Sequence, residues 1–373
     1  RFFAVAPWFL VLVALLSACA GGDALADLPA TALIAATHHI TLGFITLVML
    51  GALQQLLPVV IGSPMPAARW LAWLILLLLL AGTLLLSGGF ASGKLPMLDL
   101  AWPLLALAFL VFIGAGLTSL VRAAAHNATA TAILLSILSL AGAVTLGLLL
   151  ARGYAAGLAL PYPHWAAAHI GLALGCWVLL LVIGVSYQVV PMFQLTPNYP
   201  VGFSTLLAPA LFALVLANAA LHLFAPDWLP ARFAVELLFW LLAGAFAVIT
   251  LVLQNRRRRR VPDVTLSFFR LGMVALLLSG ALSLAAWIFP AAHDSLRTLS
   301  VLLFLLGFAL SLIHGMLYKI IPFLVWFHLF RSGMRTGVPN MKNIISEAWM
   351  KKHLWLHGAT LLAAPAALWW QAA

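Results

Sequence analysis

Ten to eleven long apolar runs follow one another along this chain, and almost every charged residue lies in the short connections between them. Leu71–Gly88 is typical: eighteen residues without one ionisable side chain. Such a run can be hidden only in a protein core or in lipid. With 65% hydrophobic and 7% charged residues over 373 positions, the chain has too little polar surface to cover a water-soluble core of that size. It is therefore expected to be polytopic in a membrane. In lipid each backbone polar group must be satisfied within the span, and uninterrupted apolar runs of this length point to α-helices rather than barrel strands.

Eleven spans are expected, at approximately residues 2–20, 31–57, 67–90, 100–121, 129–151, 165–192, 202–224, 231–254, 265–289, 298–328 and 353–370. Leu16–Cys19 at the end of the first resembles a lipoprotein signal, but an ordinary first span is the preferred reading. Arg1 is not a methionine, so residues are expected to precede it. The segment 341–350 is expected to lie as a short helix in the cytoplasmic interface of the membrane.

One ending occurs three times. Gly51–Pro58 (GALQQLLP), Gly184–Pro191 (GVSYQVVP) and Gly315–Pro322 (GMLYKIIP) each place a polar or long side chain three residues before the proline and two aliphatic residues just before it. The prolines are 133 and 131 residues apart, about a third of the chain. The expected architecture is an all-α membrane domain built from three four-helix repeats, approximately 1–125, 126–255 and 256–373, related by pseudo-threefold symmetry. Twelve spans are implied, the last lying beyond Ala373.

The net charge of +11 does not indicate nucleic acid. The basic residues concentrate in connections on one side: Arg69, Arg122, the run Arg256–Arg260, Arg331, Arg335, Lys342, Lys351 and Lys352. The other side carries Asp23, Asp27, Asp99, Asp227 and Asp294 with fewer bases. This bias predicts a cytoplasmic N-terminus in a bacterial inner membrane, with Arg256, Arg257, Arg258, Arg259 and Arg260 as a topology anchor against anionic lipid. Two cysteines, Cys19 and Cys176, provide neither a disulfide framework nor a thiolate metal site.

Ionisable groups inside spans are costly and usually face other helices. His38 stands twenty residues before Pro58, and His169 twenty-two before Pro191. At 1.5 Å per residue these are about 30 and 33 Å, nearly one depth. His314 stands only eight residues before Pro322, about 12 Å from that marker. His38 and His39 project roughly 100° apart, so one of them is expected to face a given partner. Two level imidazoles on different helices suit axial ligation of a haem iron, with His38 or His39 paired with His169. The competing reading is that they hydrogen-bond other helices or reach the headgroups. His314 is a lesser candidate ligand. His164, His222, His353 and His357 are read as interfacial, and Tyr318 and Lys319 as a helix-end anchor rather than a proton relay.

His38, Gly43, Phe44, Gly51 and Pro58 together resemble the second span of the NnrS family, whose members are haem-containing relatives of haem-copper oxidase subunit I. Gly51–Gly62 is also similar to the end of the oxidase second span, and Gly184–Pro191 to the end of the sixth span in cbb-type oxidases. The resemblance implies twelve spans in three arcs of four, haem b, a place for His38 as a haem ligand, and possible cytochrome or other membrane subunits as partners. The departures are specific. Where the oxidases carry two histidines early on span ten, this chain has Val301, Leu302 and Leu303. Span seven offers only His222 towards a copper site, and no His–Tyr pair opens span six. Copper and oxygen reduction are therefore not expected. Electron transfer or binding of a small gas such as nitric oxide is. A cofactor-free permease and a structural subunit of a larger membrane complex are the alternatives, although transporter repeats are usually inverted and these run in one direction.

Overall fold

The computed structural model describes residues 1–26, 30–123, 127–258, 261, 263–331 and 339–372, with side chains for all of these except 17–26, 30, 331, 342 and 364–372. Asp27, Arg259, Arg260 and Arg335, and the side chains of Cys19, Asp23, Arg331 and Lys342, all singled out above, lie outside these limits.

Every regular element among the described residues is helical. Eleven long helices follow: α1 (Phe2–Ala26), α2 (Ala30–Val60), α3 (Ala68–Ser92), α4 (Leu95–Val121), α5 (Ala128–Ala155), α6 (Tyr162–Gln194), α7 (Val201–Phe224), α8 (Leu229–Asn255), α9 (Val264–Ile288), α10 (His293–Arg331) and α11 (Glu347–Ala372). They fall where the apolar runs predicted them. Nine of them, α2 to α10, are long and apolar enough to cross a membrane. Leu110, 69% exposed in the middle of α4, and Leu241, 58% exposed in α8, have no protein to cover them and suit a lipid-facing surface. The chain is a polytopic helical membrane protein. The expected interfacial helix at 341–350 is shorter than that: one turn, Met341–Ile344, precedes an α11 that already begins at Glu347.

The backbone divides into two compact units, residues 1–189 with 199–239, and residues 190–198 with 240–373. In the first, α1 packs along α2, α3 pairs with α4, and α5 lies against α4, α6 and α7. In the second, α9 packs along the whole of α10 and also meets α11.

Three helices stand apart. In the most apolar eighteen-residue stretch of each span, 61% of α2, 61% of α6 and 56% of α10 is buried, against 22–44% in the other six spans. The same three each change from α to π geometry midway, at His39–Thr46, Gly171–Val178 and Leu303–Leu310. A π segment bonds i to i+5, which inserts extra residues into the turn and re-aims every side chain beyond it. Its rise is shorter than that of an α-helix, so the 30 and 33 Å depths expected for His38 and His169 are overestimates. The correction is equal for both, because α2 and α6 each carry one eight-residue segment. The fifth residue of every segment is glycine: Gly43, Gly175 and Gly307, 132 residues apart each time. Side-chain periodicity does not announce π geometry, but this glycine interval was open to inspection.

The glycine that opens each repeated ending lies where a neighbouring helix leaves no space. A Cβ on Gly51 would stand 2.7 Å from Phe2 Cβ, one on Gly184 2.8 Å from Ala132 Cβ, and one on Gly315 2.9 Å from Phe268 Cβ. The neighbour is the beginning of α1, α5 or α9 in turn. For Gly184 and Gly315 the nearest backbone atom is a threonine carbonyl oxygen, Thr129 or Thr265, at 3.3 Å in both cases. α5 and α9 also begin alike: Asn127 Oδ1 accepts from Ala130 N and Asp263 Oδ1 from Leu266 N, each at 2.9 Å. The polar residue three before the proline then reaches these starts. Gln188 Nε2 donates to Thr129 Oγ1 at 3.4 Å, and Lys319 Nζ pairs with Asp263 Oδ2 at 3.1 Å.

Candidate functional site

His38 and His169 come together in the first unit. Their ring centroids are 6.4 Å apart and their planes differ by 21°. His38 ends the α turn just before the π segment of α2, and His169 lies two residues before that of α6, so the same backbone feature follows each ring. His38 Nδ1 donates to the Ile34 carbonyl one turn back, at 2.8 Å. His169 Nδ1 donates to the Ala143 carbonyl on α5, also at 2.8 Å. A carbonyl can only accept, so both Nδ1 atoms carry the proton and the neutral rings keep Nε2 free to act as a lone-pair donor. An Nδ1–H held by a backbone carbonyl is the usual support of a metal-binding histidine. Gly147, one turn beyond Ala143 on α5, makes room for the ring: a Cβ there would come 2.8 Å from His169 Cε1.

The two near-parallel rings thus stand 6.4 Å apart, each with an Nε2 that is not spent on its carbonyl bond. His39 turns the other way. It is 6% exposed, its ring packs on Phe9 at 5.6 Å, and its Nδ1 has no hydrogen-bond partner among the described residues. One of the adjacent histidines faces α6 and the other faces α1, as their angular offset requires.

A second histidine cluster lies in the second unit. His314 of α10 has its ring centroid 4.5 Å from that of His353 and 5.2 Å from that of His357, both on α11. His357 is not interfacial as the sequence suggested. It is 7% exposed, and its Nε2 shares a 2.8 Å hydrogen bond with Ser311 Oγ. The reason is that α11 packs on α9 and α10, so the face bearing positions 353 and 357 turns into the unit. Tyr318 shares a 2.6 Å hydrogen bond with His353 Nδ1. Phe268 of α9 touches all of these rings, with centroids 6.0 Å from His314, 6.0 Å from Tyr318, 5.3 Å from His353 and 5.7 Å from His357. Reading single spans missed Ser311 and Phe268. Ser311, His314 and Tyr318 do share one helical face by spacing, and His353 and His357 share another, but nothing in the chain says that these faces meet.

The remaining candidates are dispersed. His164 and His222 form a loose pair at 6.2 Å between α6 and α7, and His293 Nδ1 donates to the Ala286 carbonyl. Arg256 and Arg258 are exposed just after α8, where Arg258 N donates to the Leu195 carbonyl. Among the described residues, no three His, Cys, Asp or Glu side chains are grouped so as to hold a metal ion.

Fold and site thus define a polytopic helical membrane protein with histidines paired between α2 and α6 of its first unit. No model of a known protein family matches the chain, and no curated protein matches it either.

Proposed function

We propose that this protein binds haem b between His38 and His169 and serves in electron transfer, or in binding a small gas such as nitric oxide, without reducing oxygen. The observation that carries this reading is the ring pair itself: 6.4 Å between centroids, with each Nδ1 committed to a carbonyl. When bound, haem supplies one-electron chemistry at its iron. The chain's own residues do the rest. The Ile34 and Ala143 carbonyls hold the two rings in the tautomer whose Nε2 can ligate. Gly147 leaves His169 its place against α5. Were His38 and His169 both to hold one haem iron, the group would supply electron transfer in preference to gas binding there. α7 supplies only His222 towards a copper ion, too few imidazoles for a haem-copper pair.

The same reading takes α1–α4, α5–α8 and α9–α11 as three copies of one block around a pseudo-threefold axis, in the manner of haem-copper oxidase subunit I. In its favour are the π segments at equal intervals, the glycine contacts with α1, α5 and α9, and the matched starts of α5 and α9. The basic connections after α8 and α10 favour a cytoplasmic N-terminus in a bacterial inner membrane. Further membrane subunits, such as a cytochrome, would be its redox partners.

The test is an optical spectrum of the purified protein, reduced minus oxidised. Low-spin haem b bands are expected. They should disappear in His38→Ala and in His169→Ala, and persist in His39→Ala, whose ring faces Phe9. A wild-type protein without haem ends the proposal, and bands that survive in His169→Ala end the ligand assignment.

A further inference from the structure

The second histidine cluster carries an inference independent of haem. α10 and α11 interleave five proton-exchanging side chains in a fixed order. Tyr318 bonds to His353, His353 faces His314, His314 faces His357, and His357 bonds to Ser311. The two end links are hydrogen bonds of 2.6 and 2.8 Å. The two middle links are ring pairs at 4.5 and 5.2 Å. Both middle pairs are ring contacts, with planes inclined by 59° and 84°, and at these separations rotation of one ring brings an N–H···N bond of about 2.9 Å within reach. From Tyr318 to Ser311 the ladder spans seven residues of α10, about 10 Å. Phe268 lies against four of its five members and shields them on one side.

We propose that Tyr318, His353, His314, His357 and Ser311 form a proton relay between the end marked by the Lys319–Asp263 pair and the interior of the second unit. Each step conserves charge and atoms. The Tyr318 oxygen accepts a proton from hydronium, releasing water, as its own hydroxyl proton passes to His353 Nδ1, leaving a neutral phenol and an imidazolium. His353 releases its Nε2 proton to one ring nitrogen of His314, and His314 passes the proton on its other nitrogen to His357. His357 gives its Nε2 proton to Ser311 Oγ, which passes its own hydroxyl proton to a water molecule on the interior side, forming hydronium. One proton has moved, and ring rotation resets the tautomers.

The neighbours are compatible with this role. Lys319 and Asp263 neutralise each other beside Tyr318 at 3.1 Å. At the start of α11, Glu347 pairs with Lys351 at 2.8 Å and Lys352 lies over Trp349. On α9, Arg270 donates to Asn255. On the first turns of α10 are His293, Asp294 and Arg297, the last bonded to Ser283. His328 lies further along α10 and is exposed. A shared metal ion is the rival use of three imidazoles, but two of the rings already spend a nitrogen on a hydroxyl.

The test is nitrogen NMR of the full chain, labelled with 15N-histidine and held in lipid nanodiscs, titrated from about pH 8 to about pH 5. The His314, His353 and His357 signals should move together in one coupled transition. Tyr318→Phe keeps the ring and removes the entry hydroxyl. It should slow exchange of the His357 ring proton with water by more than about tenfold, while the His38 and His169 signals stay in place. If Tyr318→Phe does not fold, Ser311→Ala interrupts the opposite end and should slow the same exchange. Three rings that titrate independently, or an exchange rate unchanged in the folded variant, would overturn the relay. So would a stoichiometric transition metal that is lost in His353→Asn/His357→Asn.

Discussion

The two histidine sites use the same side chain in opposite ways. In the first unit, each ring of the pair gives its Nδ1 proton to a backbone carbonyl, Ile34 or Ala143, which fixes one tautomer and leaves the other nitrogen as a lone-pair donor. In the second, His353 and His357 bond to hydroxyls, Tyr318 and Ser311, which can donate or accept. A carbonyl partner locks a histidine and a hydroxyl partner leaves it free to exchange. Ring spacing alone would not separate the sites, since both have centroids within 6.4 Å. The second partner decides the chemistry.

The sharpest way to break this contrast is to crowd one site and leave the other alone. Gly147→Leu places carbon where the His169 ring lies, a Cβ there being already 2.8 Å from Cε1. Overpacking of this kind costs about 1–3 kcal/mol or more, and it should also remove any His38–His169 absorption band while leaving the His314 cluster's nitrogen signals in place. Thermal unfolding in detergent and the optical spectrum read the two effects.

Ser311→Ala comes next. It leaves His357 Nε2 buried without its hydroxyl, at a cost of about 1–3 kcal/mol. Adding His357→Leu should recover most of that loss, because both polar partners are then gone. A double-mutant cycle showing no coupling would mean that the 2.8 Å bond contributes nothing, and the contrast between locked and exchanging histidines would lose one of its two supports.

Phe268→Leu should cost about 1 kcal/mol beyond its smaller volume by removing the ring's edge and face contacts with the histidines. It should loosen His353 and His357 together and leave His38 untouched, which nitrogen shifts would register.

The smallest effect should come from Asp263→Asn, which retains the cap on α9 and removes only the charge facing Lys319. That pair is 28% and 25% exposed, so about 0–1 kcal/mol is expected. A loss well above this would show that the pair holds α9 to α10 rather than merely neutralising the end of the ladder. Asp263→Ala, which also removes the cap, is the comparison that separates the two contributions.

The chain by itself determined its helices. Each span was legible because lipid requires about twenty apolar residues with internally satisfied backbone, and no soluble alternative could hide so many of them. The Gly–Pro endings and the equal placing of His38 and His169 were also open to reading, since they depend only on counting residues along one helix. What the sequence could not show was rotation. The π segments of α2, α6 and α10 shift every side chain beyond them around the helix axis, through backbone bonds that composition does not reveal. That His38 rather than His39 meets His169 follows from how α1, α2 and α6 pack. That His357 turns inward to Ser311 follows from α11 lying on α9 and α10. A run of apolar residues fixes how deep a side chain lies, but an almost uniformly apolar helix has no polar face to point at water, so only its neighbours decide which way that side chain faces.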